Sequence, residues 1–161
     1  MKVLCCLDGT NIEHISDAVK RMLPTNQLTL GLIYVIDSGP HGELERQRER
    51  FLRTPALNPR RNEQMQNAES SAAQDILEEG TLSLPGAERT QKTGRPEREI
   101  VNYALEWHAD LIVICPRSPL GGGPTMGPKS VGHVARFVLD HAPCPVLLVR
   151  PASIPPTRFA P

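Results

Sequence analysis

The sequence predicts an α/β domain built on a parallel sheet, and three features carry that reading. Short apolar, β-branched runs such as Leu111-Ile112-Val113-Ile114 have the character of strands buried on both faces. Between such runs lie segments whose apolar residues recur at helical spacing, as Val131, Val134, Ala135, Val138 and Ala142 do. The two kinds of segment alternate along the chain, the order that right-handed crossovers between parallel strands require.

The elements follow in turn. The first strand is expected at residues 2–7 and the first helix near 11–23, with Ile12, Ile15, Val19 and Met22 on one face. Pro24 ends that helix, because proline disfavours a helical conformation in the residue before it. The second strand spans 28–36. A long departure follows, with Ser38-Gly39-Pro40, Pro55 and Pro59 as breakers and room for a short helix at 43–53. A second long helix is expected at 62–79, burying Met65, Ala68, Ala72, Ile76 and Leu77, and ended by Gly80 and Pro85-Gly86. The third strand, 87–93, is polar through Glu88, Arg89, Gln91 and Lys92, which a sheet edge tolerates. Pro96 suits the first turn of the next helix, which turns Ile100, Ala104 and Trp107 inward. After the fourth strand, 111–115, come a glycine-rich loop, a helix beginning near Ser130, and a last strand of Val146, Leu147, Leu148 and Val149. Residues 1–150 are read as one domain, with 38–61 as an insertion or lid and 151–161 as a proline-rich tail.

Composition narrows the function classes. Lys plus Arg and Asp plus Glu both number 18, so the formal net charge is zero and the basic excess of a nucleic-acid binder is absent. The insertion is locally basic, with Arg46, Arg48, Arg50, Arg53, Arg60 and Arg61 against Glu43, Glu45 and Glu49. It lacks a series of interleaved aromatics and reads as a solvated lid. Only Val3 to Leu7 separate Lys2 from Asp8, too short for a signal-peptide core, and no apolar run has the length of a membrane span. A cytoplasmic protein without membrane or nucleic-acid partners is the expectation. Cys5, Cys6, Cys115 and Cys144 have no metal-ligand spacing and are expected to be buried thiols, with no metal site.

The loop before the last helix has the chemistry of an anion site. Gly121, Gly122, Gly123, Gly127 and Gly132 let backbone amides approach closely, and the helix after them points unpaired N–H groups at the same place. Arg117 and Lys129 add charge, and Ser130 and His133 add donors. Pro116, Pro119, Pro124 and Pro128 each remove an N–H from such a nest. His133, at a helix N-terminus, is disfavoured as a cation and suits a neutral donor. His14 and His108 fall on helix surfaces, and His141 stands at a helix end, where carbonyls are free.

Several stretches together carry a family resemblance: Val3 to Leu7 running into Asp8-Gly9-Thr10, Tyr34-Val35-Ile36-Asp37, Thr93-Gly94-Arg95-Pro96, Ala109-Asp110-Leu111-Ile112-Val113-Ile114, Gly132-His133, and His141-Ala142-Pro143-Cys144-Pro145-Val146. They resemble the nucleotide-binding branch of the universal stress protein family, within the adenine nucleotide α-hydrolase-like superfamily. The resemblance implies a Rossmann-like three-layer α/β/α fold with a five-stranded sheet in the order 3-2-1-4-5. It also implies an adenine nucleotide of the ATP or AMP type, with or without Mg²⁺, beyond the ends of the first and fourth strands. Asp8 would meet ribose or base there, flanked by Leu7, Gly9 and Thr10, and the Val35 backbone would meet the adenine edge. Phosphates would lie among Cys115, Arg117, Gly127, Lys129, Ser130, Gly132, His133 and Val134. Asp8-Gly9-Thr10-Asn11 is also strong helix-capping sequence.

The family's loop pattern, G-x-x-G-x(9)-G-[ST], is altered. Counting back from Gly132 reaches Gly122 and then Pro119; counting from the fourth strand puts Cys115 and Ser118 at the first two glycines, with an insertion before Gly132. The second alignment keeps the strand in place; it makes Cys115 protrude into the crevice floor and puts His133 where the family has a small hydroxyl. No constellation for efficient hydrolysis is present. The function expected is a regulator that binds a nucleotide and acts through an unidentified protein partner, with homodimerisation through the fifth strand implied by the resemblance. The alternatives are a nucleotide-free homodimeric interaction module, whose crevice Cys115, Pro116 and His133 would fill, and a weak nucleotide hydrolase.

Overall fold

The computed structural model describes residues 1–39, 59–116 and 131–150. The expected lid and its short helix, the tail, and loop residues 117–130, with Arg117, Gly127, Lys129 and Ser130, lie outside the described residues. Five strands form one parallel sheet in the order expected, β3-β2-β1-β4-β5. They are β1 (Lys2–Leu7), β2 (Thr29–Asp37), β3 (Glu88–Gly94), β4 (Leu111–Ile114) and β5 (Val146–Leu148). The helices described are α1 (Ile12–Met22), α2 (Pro59–Ser83), α3 (Pro96–Glu106) and α4 (His133–His141).

Alternation along β1 builds two cores. Val3, Cys5 and Leu7 point to one face and pack with Ile12, Ile15 and Val19 of α1 and Leu77 of α2. Leu4 and Cys6 point to the other and pack with Ile100 and Ala104 of α3 and Ala135 and Val138 of α4. Helices therefore cover both faces of the sheet, as an all-parallel sheet requires. At its start β1 is clamped to β4: Lys2 N donates to Asp110 Oδ2 at 2.7 Å, and Asp110 N donates to Lys2 O at 2.8 Å.

Two helices need correction. Helix α2 does not stop before Gly80 but runs to Ser83. Its buried positions are Ala73, Leu77 and Gly80, whereas Met65, Ala68 and Ala72 are exposed. Only the second half of α2 lies on the sheet, so residues three and four apart in that half set its phase. Gly80 is where the helix touches the strands: a Cβ there would lie 2.8 Å from Leu7 Cδ1 and 2.9 Å from Leu32 Cδ1. Helix α4 begins at His133 rather than near Ser130, because Gly132, with φ 80°, is its N-cap. Trp107 caps the end of α3 and, as expected, packs half-buried against the core of Ile100 and Ala104, while its indole N–H donates to Glu88 Oε2 at 3.0 Å. The expected fifth-strand end at Val149 is close: Val149 N still donates to Ile114 O at 2.8 Å, just past β5.

The contact at Gly80 gives a stability prediction. Gly80→Leu would gain about 1 kcal/mol of helix propensity but overpack Leu7 and Leu32, a change that costs roughly 1–3 kcal/mol or more for a side chain this large. Urea denaturation should show a net loss of stability; a variant as stable as the parent would contradict the close packing of α2 on β1.

Candidate functional site

The chain reverses between β1 and β4, which opens a crevice at the strands' carboxyl ends. The registers shape its walls. Strand β1 stops pairing with β2 at Leu7–Tyr34, while β2 continues against β3 through Val35–Lys92 to Asp37–Gly94. Val35, Ile36 and Asp37 thus stand beyond the end of β1, where a planar ligand edge can meet the β2 backbone. Leu7 is buried at the floor, 7 % exposed.

Beyond Leu7 the chain makes a tight turn into α1. Asp8 Oδ1 accepts from Thr10 N at 2.8 Å and from Thr10 Oγ1 at 3.0 Å. Among the described residues Oδ2 meets no donor, and the residue is exposed at the end of β1. Gly9 takes φ 90°, a conformation other L-residues resist, with Ile76 of α2 lying 3.2 Å from where its Cβ would be. Neither Asp8 nor Asn11 caps α1 through its side chain, against the capping reading; Asn11 is the N-cap by position alone. Its side chain turns inward, 4 % exposed. There Asn11 Nδ2 donates to Cys6 O at 3.0 Å and Asn11 Oδ1 accepts from Asp8 N at 3.0 Å. One buried amide therefore ties the last turn of β1 to the Asp8 backbone.

Cys115 does not protrude into the crevice. It is 7 % exposed and joins the core on the α1 side, with Leu7 and Ile12. Burial pushes its thiol up to about 12, the Asp8 carboxylate adds to this, and a hydrogen bond with Asn11 partly offsets it. Burial and the carboxylates of Asp8 and Glu69 likewise raise the Tyr34 phenol. On the far wall His133, the first residue of α4, is exposed, and its Nε2 lies 3.5 Å from Oε1 of Glu97, whose side chain is 13 % exposed. Val134 is half-buried and packs into the core with α3 instead of facing the crevice. Val35 is half-buried on the same face.

The structure therefore brings Leu7, Asp8, Gly9, Thr10, Val35, Gly132 and His133 to one end of the sheet. It withdraws the side chains of Cys115 and Val134 into the core. Sequence reading missed Asn11 as a buried bridge, Tyr34 beside Asp8, Ile76 over Gly9, and Glu97 opposite His133. Glu97 had a signal, an acidic residue in the first turn after Gly94-Arg95-Pro96; Asn11 had none beyond its place in the turn. His141 behaves as expected, with Nδ1 2.9 Å from Phe137 O. A shallow depression lined by Gln74, Leu77, Glu78, Arg89 and Gln91 lies between α2 and β3, away from the crevice. Among the described residues no group of three or more His, Cys, Asp or Glu side chains is placed to hold a metal ion, and no helix is long and apolar enough to cross a membrane.

The family model described as the universal stress protein family matches residues 1–150. The fold is similar to that of the hypothetical protein MJ0577, at 21% identity and TM-score 0.71, over 95% of this chain and 97% of that one. It is similar to the universal stress protein UspA from Lactobacillus plantarum, at 26% identity and TM-score 0.66, over 93% and 97%. A universal stress protein family protein from Arabidopsis thaliana, At3g01520, solved with AMP bound, is 17% identical with TM-score 0.59, over 93% and 91%.

The buried thiols give a pH prediction. Burial holds Cys5 and Cys115 at about 12, up from the usual 9.0. An unfolded thiol ionises first, so above the usual value the unfolded state binds fewer protons than the native one. The stabilisation is complete below about pH 9 and is lost progressively as pH rises toward about 12. Between about pH 8 and about pH 10 the loss should be about 1 kcal/mol per thiol. Urea titrations at both pH values should show it, with a smaller loss in Cys5→Ala; an equal loss in that variant would contradict the assignment.

Proposed function

This chain belongs to the universal stress protein family, and we propose that it is a regulatory protein binding an adenine nucleotide of the ATP or AMP type in the β1/β4 crevice. The observation that carries the reading is Asp8. One of its oxygens is fixed by Thr10, the other meets no donor among the described residues, and the carboxylate stands where the chain reverses. An open carboxylate oxygen accepts from a ribose hydroxyl or an adenine amine. The β2 backbone beyond Leu7–Tyr34 suits the edge of a base. Universal stress proteins of this fold solved with AMP, with cAMP and with dAMP support the ligand class.

The crevice is read as a binder and not a hydrolase, because the groups around Asp8 are poor nucleophiles. The Cys115 thiol is buried and held protonated, and the Tyr34 phenol is raised. The nucleotide-free alternative had Cys115, Pro116 and His133 fill the crevice, and the burial of Cys115 on the α1 side takes one of the three out of it. A cytoplasmic location, an unidentified protein partner and a homodimer belong to the same reading. The dimer would form through the short edge strand β5, whose Val146, Leu147 and Leu148 stay half-buried with Val149 beside them.

Two measurements test this. In a thermal-shift series, AMP at a hundredfold over its dissociation constant should add about 2.7 kcal/mol to stability, and Asp8→Ala should remove the shift. No shift with any adenine nucleotide would overturn the binding reading. For the dimer, Leu148→Asp with Arg150→Glu should convert a sedimenting dimer to a monomer; an unchanged profile would refute the β5 interface.

A further inference from the structure

We infer that Asn11 is a positioning residue for the nucleotide: it holds the Asp8 backbone so that the Asp8 carboxylate is set for a ribose or an adenine base. The inference rests on the nucleotide reading and adds the residue that orders its principal side chain. Asparagine is among the residues that best cap a helix, where its side-chain oxygen accepts from a first-turn N–H. Asn11 stands at that position before α1, and its carbonyl accepts from Ile15 N at 3.0 Å, yet its side chain makes no capping bond. Its backbone, at φ −107° and ψ 5°, lies away from the extended conformation that a capping side chain takes.

The amide turns back beneath the end of β1 instead, where the residue is 4 % exposed. Asn11 Nδ2 donates to Cys6 O at 3.0 Å, and Asn11 Oδ1 accepts from Asp8 N at 3.0 Å. These partners lie on either side of Leu7. A planar amide holds its donor and acceptor at a fixed separation, so the two bonds together set the backbone from Cys6 to Asp8. From there the constraint reaches the carboxylate through Thr10, whose N–H and hydroxyl both donate to Asp8 Oδ1. Asp8 is itself exposed, so packing does little to hold it. Its order comes from the buried amide below and the Thr10 donors beside it. A ligand meeting a carboxylate already ordered loses less affinity to fixing that side chain. Asn11 is too buried to take part directly and acts through Asp8. Among the described residues the other buried polar side chain is Ser16, whose hydroxyl donates to Glu13 O within α1 and ties nothing to Asp8.

The test uses the full chain as the parent, Asn11→Ala, Asn11→Ser and Ser16→Ala, the serine variant being the reserve should Asn11→Ala not fold. In the ligand-free protein, loss of the Asn11 amide should speed hydrogen exchange at the Asp8 N–H by about tenfold, with Ser16→Ala as the parent. Titrations with AMP and with adenosine, followed by amide chemical shifts, then read affinity. Adenosine carries the base and ribose without a phosphate. The Asn11 variants should weaken both ligands by a similar factor of about ten, while Ser16→Ala, which also removes a hydrogen bond from α1, stays within about twofold. Folded Asn11 variants that bind as the parent does, or an unchanged Asp8 exchange rate, overturn the inference. So does a loss shared equally by Ser16→Ala, a loss confined to AMP, or a parent that binds AMP but not adenosine. A parent that binds neither ligand overturns the nucleotide reading itself, which keeps the two failures apart.

Discussion

The pairing of β1 with β2 on one side and β4 on the other is the constraint on which the molecule depends. All residues of β1 after Lys2 are buried, so neither face tolerates a change of register: a slip by one residue would exchange its two core faces. The Lys2–Asp110 backbone and side-chain pair clamps one end of the β1/β4 contact. At the other end β1 stops at Leu7 while β2 continues to Asp37. The crevice is the direct result: its floor, its Asp8 wall and its β2 wall are what remains when a central strand ends early.

The proposed site then depends on one buried polar side chain. Asn11 spends both ends of its amide inside the protein, on Cys6 O and Asp8 N. It also partly offsets the upward push of burial on the Cys115 thiol, at the end of β4. A buried polar group costs stability unless it is satisfied, and once satisfied it fixes a conformation. Here that conformation is the β1–α1 turn, which presents the free oxygen of Asp8 outward. Cys115, in a position where a side chain was expected to obstruct the ligand, instead becomes part of this support.

Much of this was legible in the sequence, for identifiable reasons. Buried parallel strands announce themselves as apolar runs, so β1 was placed at its observed bounds and β4 within one residue of them, and Asp8 fell at the crevice because strand ends follow from strand positions. Polar β3 was legible as an edge because an edge strand needs no second apolar face. The helices were harder. In α2 the exposed Met65, Ala68 and Ala72 continue an apolar pattern that packing does not use, and Gly80, a breaker by propensity, is kept by its contact with Leu7 and Leu32. The direction of Cys115 and the pairing of Glu97 with His133 are tertiary facts: they depend on which sheet face β4 turns toward and on two helix ends meeting across separate segments. Local pattern carries neither.

The central claim is that the open oxygen of Asp8 at the end of β1 marks where an adenine nucleotide binds. Titration of the isotopically labelled full chain with AMP, followed by amide chemical shifts, tests it most directly. The account expects shifts centred on Leu7 to Thr10, Val35 and Ile36, and Gly132 and His133, with the amides of β5 and the outer edge of β3 unmoved. Shifts centred instead on Gln74, Glu78 and Gln91, or none at saturating AMP, would contradict it.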